Sequence, residues 1–379
     1  MSATVDLPVG PDQARASHRQ SPLPARRTNG RAAPAAALSL LEEAFPALAA
    51  GGLGFIDVGS RGGFHQALQE IAPLLELVGF EPDGEECDRL NAQRSGIYRS
   101  VRHMPCGLGR SDGRGALHLC RVAGTSSLYR PHRSLLERFP DVSRFDVIGT
   151  HEVALKSLDS LASDPNAGLP RFIGFLKIDT QGAELDVLIG ATRLLREQVI
   201  GLEVEVAFTR LYEGQPVFRD VDGLLSSLGF TLFKLRRYHW VRNTEGSSPL
   251  SNAGQLMFAD ALYFKDPLSD GEAQPVLTLP QQAEALVLLA SLYDLHDFAL
   301  ELLAGDLGPL IKAPHDARRY VLARGRRVAR QTLRRTAAGL WSGLSACVRE
   351  RGDLKYLLPF LRRHHRSWAR GDADFYTQL

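Results

Sequence analysis

The stretch FLKIDTQGAEL, Phe175 to Leu185, contains the pattern that decides the fold. Its first residues, FLKI, predict a buried strand, yet the run ends on the charge of Asp179. Gly182 and Glu184 follow, and LDVLIGATRLL then predicts a helix. A strand that only had to turn would more often use Pro, Asn or Ser. The acidic strand end therefore indicates a functional position.

Length and charge limit the class of protein. The chain has 379 residues, of which 44% are hydrophobic, which predicts two or three structural units and a sizeable core. The net charge is only +2, but its distribution is uneven. Sixteen Lys or Arg and three Asp or Glu lie between Lys312 and Arg370. Such asymmetry favours an anionic partner for the basic end.

The four cysteines form no CxxC or other metal-like spacing. No disulfide framework is implied, which fits a reducing cytosol, so we expect a cytoplasmic protein. No apolar run approaches the ~18 residues of a membrane span. The N-terminal residues also lack the apolar segment of a secretory signal.

The pattern of apolar residues predicts three regions. Residues 1–36 are rich in Pro, Ala and Arg, and we expect them to be disordered. Residues 37–270 alternate strands with helices, which predicts a mostly parallel, doubly wound α/β sheet. Residues 271–379 predict a basic helical region. The strand-like segments are 53–58, 74–80, 97–104, 116–122, 145–155, 172–178, 199–208, 230–235 and 261–265, and the main helical ones are 37–50, 83–94, 184–196 and 217–228.

The segment FIDVGSRGGFH, 55–65, predicts a strand that delivers Asp57 into a glycine-rich turn before a helix. Gly59, Gly62 and Gly63 allow positive φ and close approach of a ligand to the backbone. A helix N-terminus behind them can bind an anionic group. The spacing is not the G-x-G-x-x-G dinucleotide pattern, and a plain strand-to-helix turn is the alternative.

A second acidic strand end occurs in VGFEPD, where Glu81 follows Asp57 by 24 positions. In nucleotide-binding α/β folds an acid about 20 residues on hydrogen-bonds the ribose hydroxyls. Ligands of such sheets bind outside the carboxyl ends of the strands, where Asp57, Glu81 and Asp179 are all expected. The alternative for Glu81 is a solvated strand end.

A third feature is VIGLEVEVAF, in which Glu203 and Glu205 alternate with apolar residues. A strand covered on both faces is nearly all apolar, so two carboxylates on one face must be satisfied or used. Glu205 lies nearer the carboxyl end of the strand. An edge strand with a wet face is the alternative.

The ordered segments IDVGSRGG, GFEPD, SSL, SLDSL, FLKIDTQGAELDVLIGA and LEVEVAF resemble the FkbM family of S-adenosylmethionine-dependent methyltransferases. The resemblance runs from about Leu53 to Lys265. It implies a class I methyltransferase, Rossmann-like fold with seven strands, the last antiparallel and inserted near an edge. It also implies the cofactor S-adenosylmethionine and O-methylation, typically of a sugar, a glycan or glycolipid, or a natural product.

The resemblance also implies roles for individual residues. Asp57, Gly59 and Gly63 match the family's cofactor loop, and Glu81 matches its ribose-binding acid. The family's K-x-D-x-x-G-x-E block is matched by Lys177, Asp179, Gly182 and Glu184. Many members have Ala-Asn where this chain has Ser60-Arg61, and Arg61 either contacts the cofactor carboxylate or is merely exposed. Ser60, Arg61 and Gly62 complete the predicted cofactor-binding set, together with Asp179.

An alcohol is a poor nucleophile until it loses its proton, and a carboxylate within reach can accept that proton. We expect Asp179 to orient or deprotonate the acceptor hydroxyl, with Glu205 as the competing candidate. Lys177 completes the candidate catalytic set. Ser126 and Ser127 are candidates for the acceptor site. A metal at Asp179 is an alternative, but no His or Cys cluster accompanies it, so we expect no metal.

Other classes of function are open. One is a non-catalytic cofactor-binding or interaction protein that works through its basic helical tail. Another is a nucleotide-binding oxidoreductase, which the glycine spacing disfavours. The tail, 312–370, either contacts anionic lipid, at the inner face of the membrane, or is a solvated helical cap. Nucleic-acid motifs are absent from the sequence, and the sequence leaves the oligomeric state open.

Overall fold

The computed structural model describes residues 35–93, 96–243, 254–269 and 277–349. The predicted disordered segment lies outside these residues up to residue 34. The basic tail lies outside them from residue 350 onward.

The bounds of most strands lie close to the predicted ones, but the strands predicted over 230–235 and 261–265 are longer and cover Phe230–Trp240 and Gln255–Lys265. Within the described residues the strands are β1 (Leu53–Val58), β2 (Leu75–Phe80), β3 (Ser100–Met104), β4 (Gly107–Leu108), β5 (Gly113–Cys120), β6 (Val147–Lys156), β7 (Ile173–Ile178), β8 (Gly201–Ala207), β9 (Phe230–Trp240) and β10 (Gln255–Lys265). The α-helices of the same residues are α1 (Ala35–Ala44), α2 (Pro46–Gly51), α3 (Gly84–Ala92), α4 (Arg133–Leu136), α5 (Leu158–Ser163), α6 (Glu184–Ile189), α7 (Thr192–Glu197), α8 (Phe218–Ser227), α9 (Pro280–Leu292), α10 (His296–Ala304) and α11 (Pro314–Arg349).

In the described part of the chain, seven strands form one sheet in the order β3-β2-β1-β7-β8-β10-β9. Strands β3, β2, β1, β7 and β8 pair in parallel, whereas β10 is antiparallel to both β8 and β9. The last strand is therefore inserted beside the edge strand, as predicted. The chain order reverses between β1 and β7, and ligands of doubly wound sheets bind at this switch point.

Two predicted strands do not belong to this sheet. Strand β6 pairs antiparallel with β5 and, over two residues, parallel with β4, in a separate three-stranded sheet. The structure confirms strands at 116–122 and 145–155, and it puts them in a second sheet that the sequence analysis did not predict. Pairing between strands depends on residues far apart in sequence, so the local pattern does not reveal it.

Each face of the main sheet has its own hydrophobic core. On β1, Leu53 and Phe55 belong to one core, which the helices α1, α2, α9 and α10 and the start of α11 cover. Ile56 and Val58 belong to the other, which α6, α7 and α8 cover. This alternation follows from the two-residue period of a strand.

The C-terminal helices share the first core with the N-terminal ones. Helix α9 is buried all round from Gln282 to Leu292, as expected of a helix that is apolar on every side. The carboxylate of Glu284 accepts hydrogen bonds from the backbone of Ala47 (2.8 Å) and Leu48 (3.1 Å). The predicted boundary near residue 270 stays a prediction, but the helices that follow it cover one face of the sheet.

Two predicted helices differ locally. The helix expected over 184–196 is divided into α6 and α7 at Gly190, where a β-carbon would lie closer than 3.0 Å to the carbonyl of Gly109. The turn after β1 leads into a 3₁₀ helix, Gln66–Leu74, rather than directly into an α-helix. The glycine loop therefore has no α-helical N-terminus directly behind it.

Candidate active site

Three strand ends meet at the switch point. The backbone N–H of Asp179 donates to the carbonyl of Val58 (3.0 Å), and that of Gly59 donates to the carbonyl of Phe80 (3.1 Å). These bonds continue the sheet by one residue beyond β1 and β7. They bring the glycine loop, Glu81 and Asp179 to one edge, as the sequence predicted.

Gly59 is required where the cofactor loop crosses the end of β7. Its φ is +83°, a left-handed conformation that residues with a side chain rarely adopt. A β-carbon there would lie less than 3.0 Å from the carbonyl oxygen of Asp179. Gly62 and Gly63 have the same φ, but Gly62 has nothing within 4 Å of such a carbon.

A cavity opens at this edge, with about 110 Å³ accessible to water. The end of β1 contributes Gly59 and Arg61, the end of β2 contributes Glu81, and the end of β7 contributes Asp179 and Gln181. The small sheet and the loop after β5 supply a mostly apolar wall, in which Ser126 is polar: Leu108, Leu117, Leu119, Ala123, Gly124, Ser126, Leu128 and Val153. The separate sheet of β4, β5 and β6, which the sequence did not predict, thus forms one wall of the cavity.

Glu81 is buried, 4% exposed, and accepts a hydrogen bond from the backbone of Asp83 (2.9 Å). Burial raises its pKa, while the Asp83 bond and the nearby Arg61 lower it in part. Arg61 pairs with Asp83 at 3.0 Å and lies 3.7 Å from Glu81. Arg61 therefore lines the cavity and screens the acid. Of the two expectations for Arg61, contact with the cofactor stays a prediction.

Asp57 and Lys177 lie behind the cavity rather than in its wall. The Lys177 ammonium donates to the Asp57 carboxylate at 3.3 Å and lies 4.0 Å from Asp179. Asp57 and Lys177 line a separate void of about 10 Å³ together with Glu203 and Tyr293. Burial alone lowers the pKa of Lys177, but the carboxylates around it raise it above its ordinary value. Lys177 therefore carries a positive charge and has no capacity to act as a base.

The remaining glycine-loop residues also stand outside the cavity wall. Ser60 is buried, and its hydroxyl has no hydrogen-bond partner among the described residues. The backbone N–H of Gly62 donates to the carboxylate of Glu86 on α3 (3.1 Å). Gly63 packs against Leu90 of the same helix. Cofactor contacts of these residues stay predictions.

Glu184 holds the turn that follows Asp179. Its buried carboxylate accepts hydrogen bonds from the backbone of Thr180 (2.9 Å) and Gly182 (2.9 Å). Burial raises its pKa to about 7 against the opposing effect of these bonds. These hydrogen bonds to the turn are sufficient to explain an acid at position 184.

A hydrogen-bonded network links the two candidate bases. The Gln181 side-chain amide donates to Asp179 (2.8 Å) and to Glu205 (3.2 Å). The hydroxyl of Tyr212 donates to the Gln181 side-chain carbonyl (3.1 Å) or to the carbonyl of Thr125 (2.9 Å). Sequence reasoning missed Gln181 and Tyr212. Gln181 stands inside the K-x-D-x-x-G-x-E block, but no spacing in the sequence connects Tyr212 to it.

Further charges continue along the same face of the sheet. Glu205 pairs with Asp260 in register, and Asp260 pairs with Arg236, its carboxylate lying 2.7 Å from the guanidinium. Burial, and then the charges of Asp179 and Glu184, raise the pKa of Glu205 well above its ordinary value. Of the carboxylates predicted on alternating positions of β8, Glu203 is buried and Glu205 is half-buried, and both lie in a charged row inside the sheet rather than at its edge.

The cavity has the chemistry that S-adenosylmethionine requires. Glu81 offers a carboxylate to ribose hydroxyls, and the leucines of the small sheet offer an apolar wall to an adenine ring. Asp179 adds a negative charge to the cavity lining, suited to a sulfonium cation. A seven-stranded sheet of this order with this edge site defines a class I methyltransferase.

The family comparison agrees with the site. Residues 57–232 match the model of the family described as "Methyltransferase FkbM domain". This segment of the chain is an FkbM methyltransferase domain, and the protein is a methyltransferase with S-adenosylmethionine as its cofactor. No curated protein matches the sequence.

Two solved structures are similar to the chain. One is magnesium protoporphyrin IX methyltransferase (ChlM) from Synechocystis PCC 6803 with bound SAM, with 10% identity, 60% of this chain and 77% of that chain covered, and a TM-score of 0.27. The other is "StiE O-MT residues 961-1257", with 12% identity, coverage of 68% and 80%, and a TM-score of 0.30. Similarity at this level carries no argument about the acceptor.

Proposed function

We propose that the protein methylates a hydroxyl group of a sugar, of a glycan or glycolipid, or of a natural product. The observation that carries the proposal is the position of Asp179. Its carboxylate lines the same cavity as Gly59 and Glu81, so a potential proton acceptor stands beside the cofactor site. The acceptor class itself rests on the resemblance to the FkbM family.

When bound, S-adenosylmethionine supplies a methyl group activated by its sulfonium centre. Glu81 would hold the ribose, and the apolar wall of the small sheet would exclude water. Asp179 would orient the acceptor hydroxyl and accept its proton as the oxygen attacks. The ammonium of Lys177 lies 4.0 Å from the Asp179 carboxylate, so a fixed positive charge stands behind the proposed base.

The geometry favours Asp179 over Glu205 as the base. Asp179 lines the cavity, whereas Glu205 is not among the residues that line it. The raised pKa of Glu205 also favours its protonated form, which has no capacity to accept another proton. Lys177 contributes as a fixed cation and not as a proton acceptor.

The test is transfer of a labelled methyl group. The purified chain is incubated with methyl-tritiated S-adenosylmethionine and a panel of monosaccharides, nucleotide sugars, glycolipids and hydroxylated natural products. We expect label on an acceptor oxygen together with S-adenosylhomocysteine. Asp179→Asn should lower kcat by about 10²–10⁴-fold while S-adenosylhomocysteine still binds.

Asp88→Asn is the matched control, since Asp88 is exposed on α3 and away from the cavity wall. Full turnover of Asp179→Asn would refute the base assignment. Label found on nitrogen or carbon, and not on oxygen, would refute O-methylation while leaving the methyltransferase intact.

We also propose that the basic helical region contacts an anionic membrane surface at the cytoplasmic side. Four exposed arginines of α11 have no ion pair among the described residues: Arg318, Arg326, Arg330 and Arg334. In the described part of the chain, no helix is long and apolar enough to cross a membrane. Co-sedimentation with phosphatidylglycerol vesicles, lost on replacing these four arginines by Gln and absent with phosphatidylcholine, would support the contact. Equal sedimentation of the wild-type protein and the four-Gln variant with phosphatidylglycerol vesicles would refute the membrane contact.

A further inference from the structure

The backbone of Gln181 is fixed in a conformation that glycine usually provides. Its φ is +56°, directly after the end of β7. On one side the hydroxyl of Ser127 donates to its carbonyl (2.6 Å), and on the other side Glu184 binds the N–H groups of Thr180 and Gly182. A strained residue with a side chain persists where its surroundings determine it, often at a functional site.

The side chain of Gln181 uses its amide nitrogen on two carboxylates. The nitrogen has two hydrogens and lies 2.8 Å from Asp179 and 3.2 Å from Glu205. The amide oxygen faces the hydroxyl of Tyr212 at 3.1 Å. Reversing the amide would turn its oxygen toward both carboxylates. Tyr212 and the carboxylates therefore select one orientation.

Tyr212 is suited to this task because it keeps its proton. Burial, and then the charge of Glu205, raise the pKa of Tyr212 well above its ordinary value. The side chain is 1% exposed and packs its ring against Phe145. The hydroxyl is thus a permanent donor, and its proton is shared between the side-chain carbonyl of Gln181 (3.1 Å) and the backbone carbonyl of Thr125 (2.9 Å).

We propose that Gln181 is a positioning residue that holds the Asp179 carboxylate at the cavity wall by tying it to Glu205, with Tyr212 fixing the direction of the amide. This role rests on the proposed function of Asp179 as the base. A donor that bonds Asp179 and Glu205 at once holds the two carboxyl groups in one geometry, and it reduces the repulsion between them whenever Glu205 ionises. Without the donor, Asp179 would lose its fixed direction toward the acceptor hydroxyl.

The test compares Gln181→Met with wild type in the full chain. Met has nearly the same length, so the left-handed backbone and the packing are preserved while both donors are lost. Glutamate side chains are labelled with ¹³C at the carboxyl carbon, and Glu205→Gln assigns the resonance of Glu205. The groups that face Glu205 are the carboxylates of Asp179, Glu184 and Asp260, the ammonium of Lys177 and the hydroxyl of Tyr212.

We expect the titration midpoint of Glu205 to rise by about one pH unit in Gln181→Met, because the ionised form loses a hydrogen bond. Tyr212→Phe should give a shift in the same direction but smaller. Gln93→Met, on the exposed end of α3, should give no shift. S-adenosylhomocysteine affinity should stay within about three-fold in Tyr212→Phe and Gln93→Met, since neither residue lines the cavity.

An unshifted titration in Gln181→Met would overturn the proposal. Loss of S-adenosylhomocysteine binding in Tyr212→Phe would also overturn it, because Tyr212 lies outside the cavity wall and would then support the cavity rather than the amide of Gln181. The titration needs no acceptor substrate. A failure of O-methylation, with the shift still present, would therefore be recognised separately.

Discussion

Replacing Gly59 with Ala measures how tightly the cofactor loop is joined to the strand end that carries Asp179. The left-handed φ of +83° costs a residue with a β-carbon about 1–2 kcal/mol. The overlap with the carbonyl of Asp179 adds about 1–3 kcal/mol, the usual cost of overpacking. The expected loss in the free energy of unfolding is therefore about 2–5 kcal/mol. Because the carbonyl must move, the affinity for S-adenosylhomocysteine should fall as well.

Gly62→Ala provides the matched control. Gly62 has the same φ of +83°, but a β-carbon there meets nothing within 4 Å. Its expected loss is the backbone cost alone, about 1–2 kcal/mol. Urea denaturation followed by circular dichroism gives both values, and calorimetric titration gives the affinities. Equal losses of stability in the two variants would show that the loop and the end of β7 are not in steric contact, which would refute the reasoning.

Three further predictions follow from buried charges. Glu81→Ala should weaken S-adenosylmethionine binding by about 10–100-fold in calorimetric titration, because a charged hydrogen bond contributes about 1.5–3 kcal/mol, whereas the exposed Glu85→Ala should not. The pKa of Glu203 is raised by burial and by Asp260 from 4.5 to about 8, so the folded state holds a proton that the unfolded state releases. The free energy of unfolding should therefore fall between about pH 4.5 and pH 8, by at most about 1.4 kcal/mol per pH unit, and Glu203→Gln should abolish that part of the slope in urea titrations at several pH values. Arg324→Ala should lower the free energy of unfolding by about 3–5 kcal/mol in the same assay. The buried guanidinium donates to the last carbonyls of α9 and pairs with Asp294 and Glu70, and an unchanged stability would contradict this prediction.

The strands could be predicted well because the main sheet is covered on both faces. A continuous apolar run marks such a strand whichever way its side chains point, and β1 was predicted with its observed bounds. Because both faces of such a strand are apolar, the sequence does not show on which face of the sheet a given side chain lies. Asp57 and Gly59 were expected together at the cofactor, but Asp57 points into the core behind the cavity because Ile56 and Val58 occupy the other face.

The candidate site was predictable only where its residues follow strand ends. Glu81 and Asp179 needed no more than the rule that parallel strands end at one edge. The apolar wall came from β5 and β6, whose pairing joins residues far apart in sequence. Tyr212 reaches Gln181 from a loop after β8, so the contact is a product of tertiary packing and leaves no local pattern.

The hydrophobic helix α9 also has a consequence for the order of events during synthesis. Its buried residues cover the face of β1 and β7 that presents Phe55 and Phe175. Both strands leave the ribosome about a hundred or more residues before α9 does. A domain folds as a unit as it emerges, and exposed apolar surface promotes aggregation in the meantime. The nascent chain must therefore carry an open aromatic face until α9 has been made, so synthesis that halts before residue 280 should leave a product prone to aggregation.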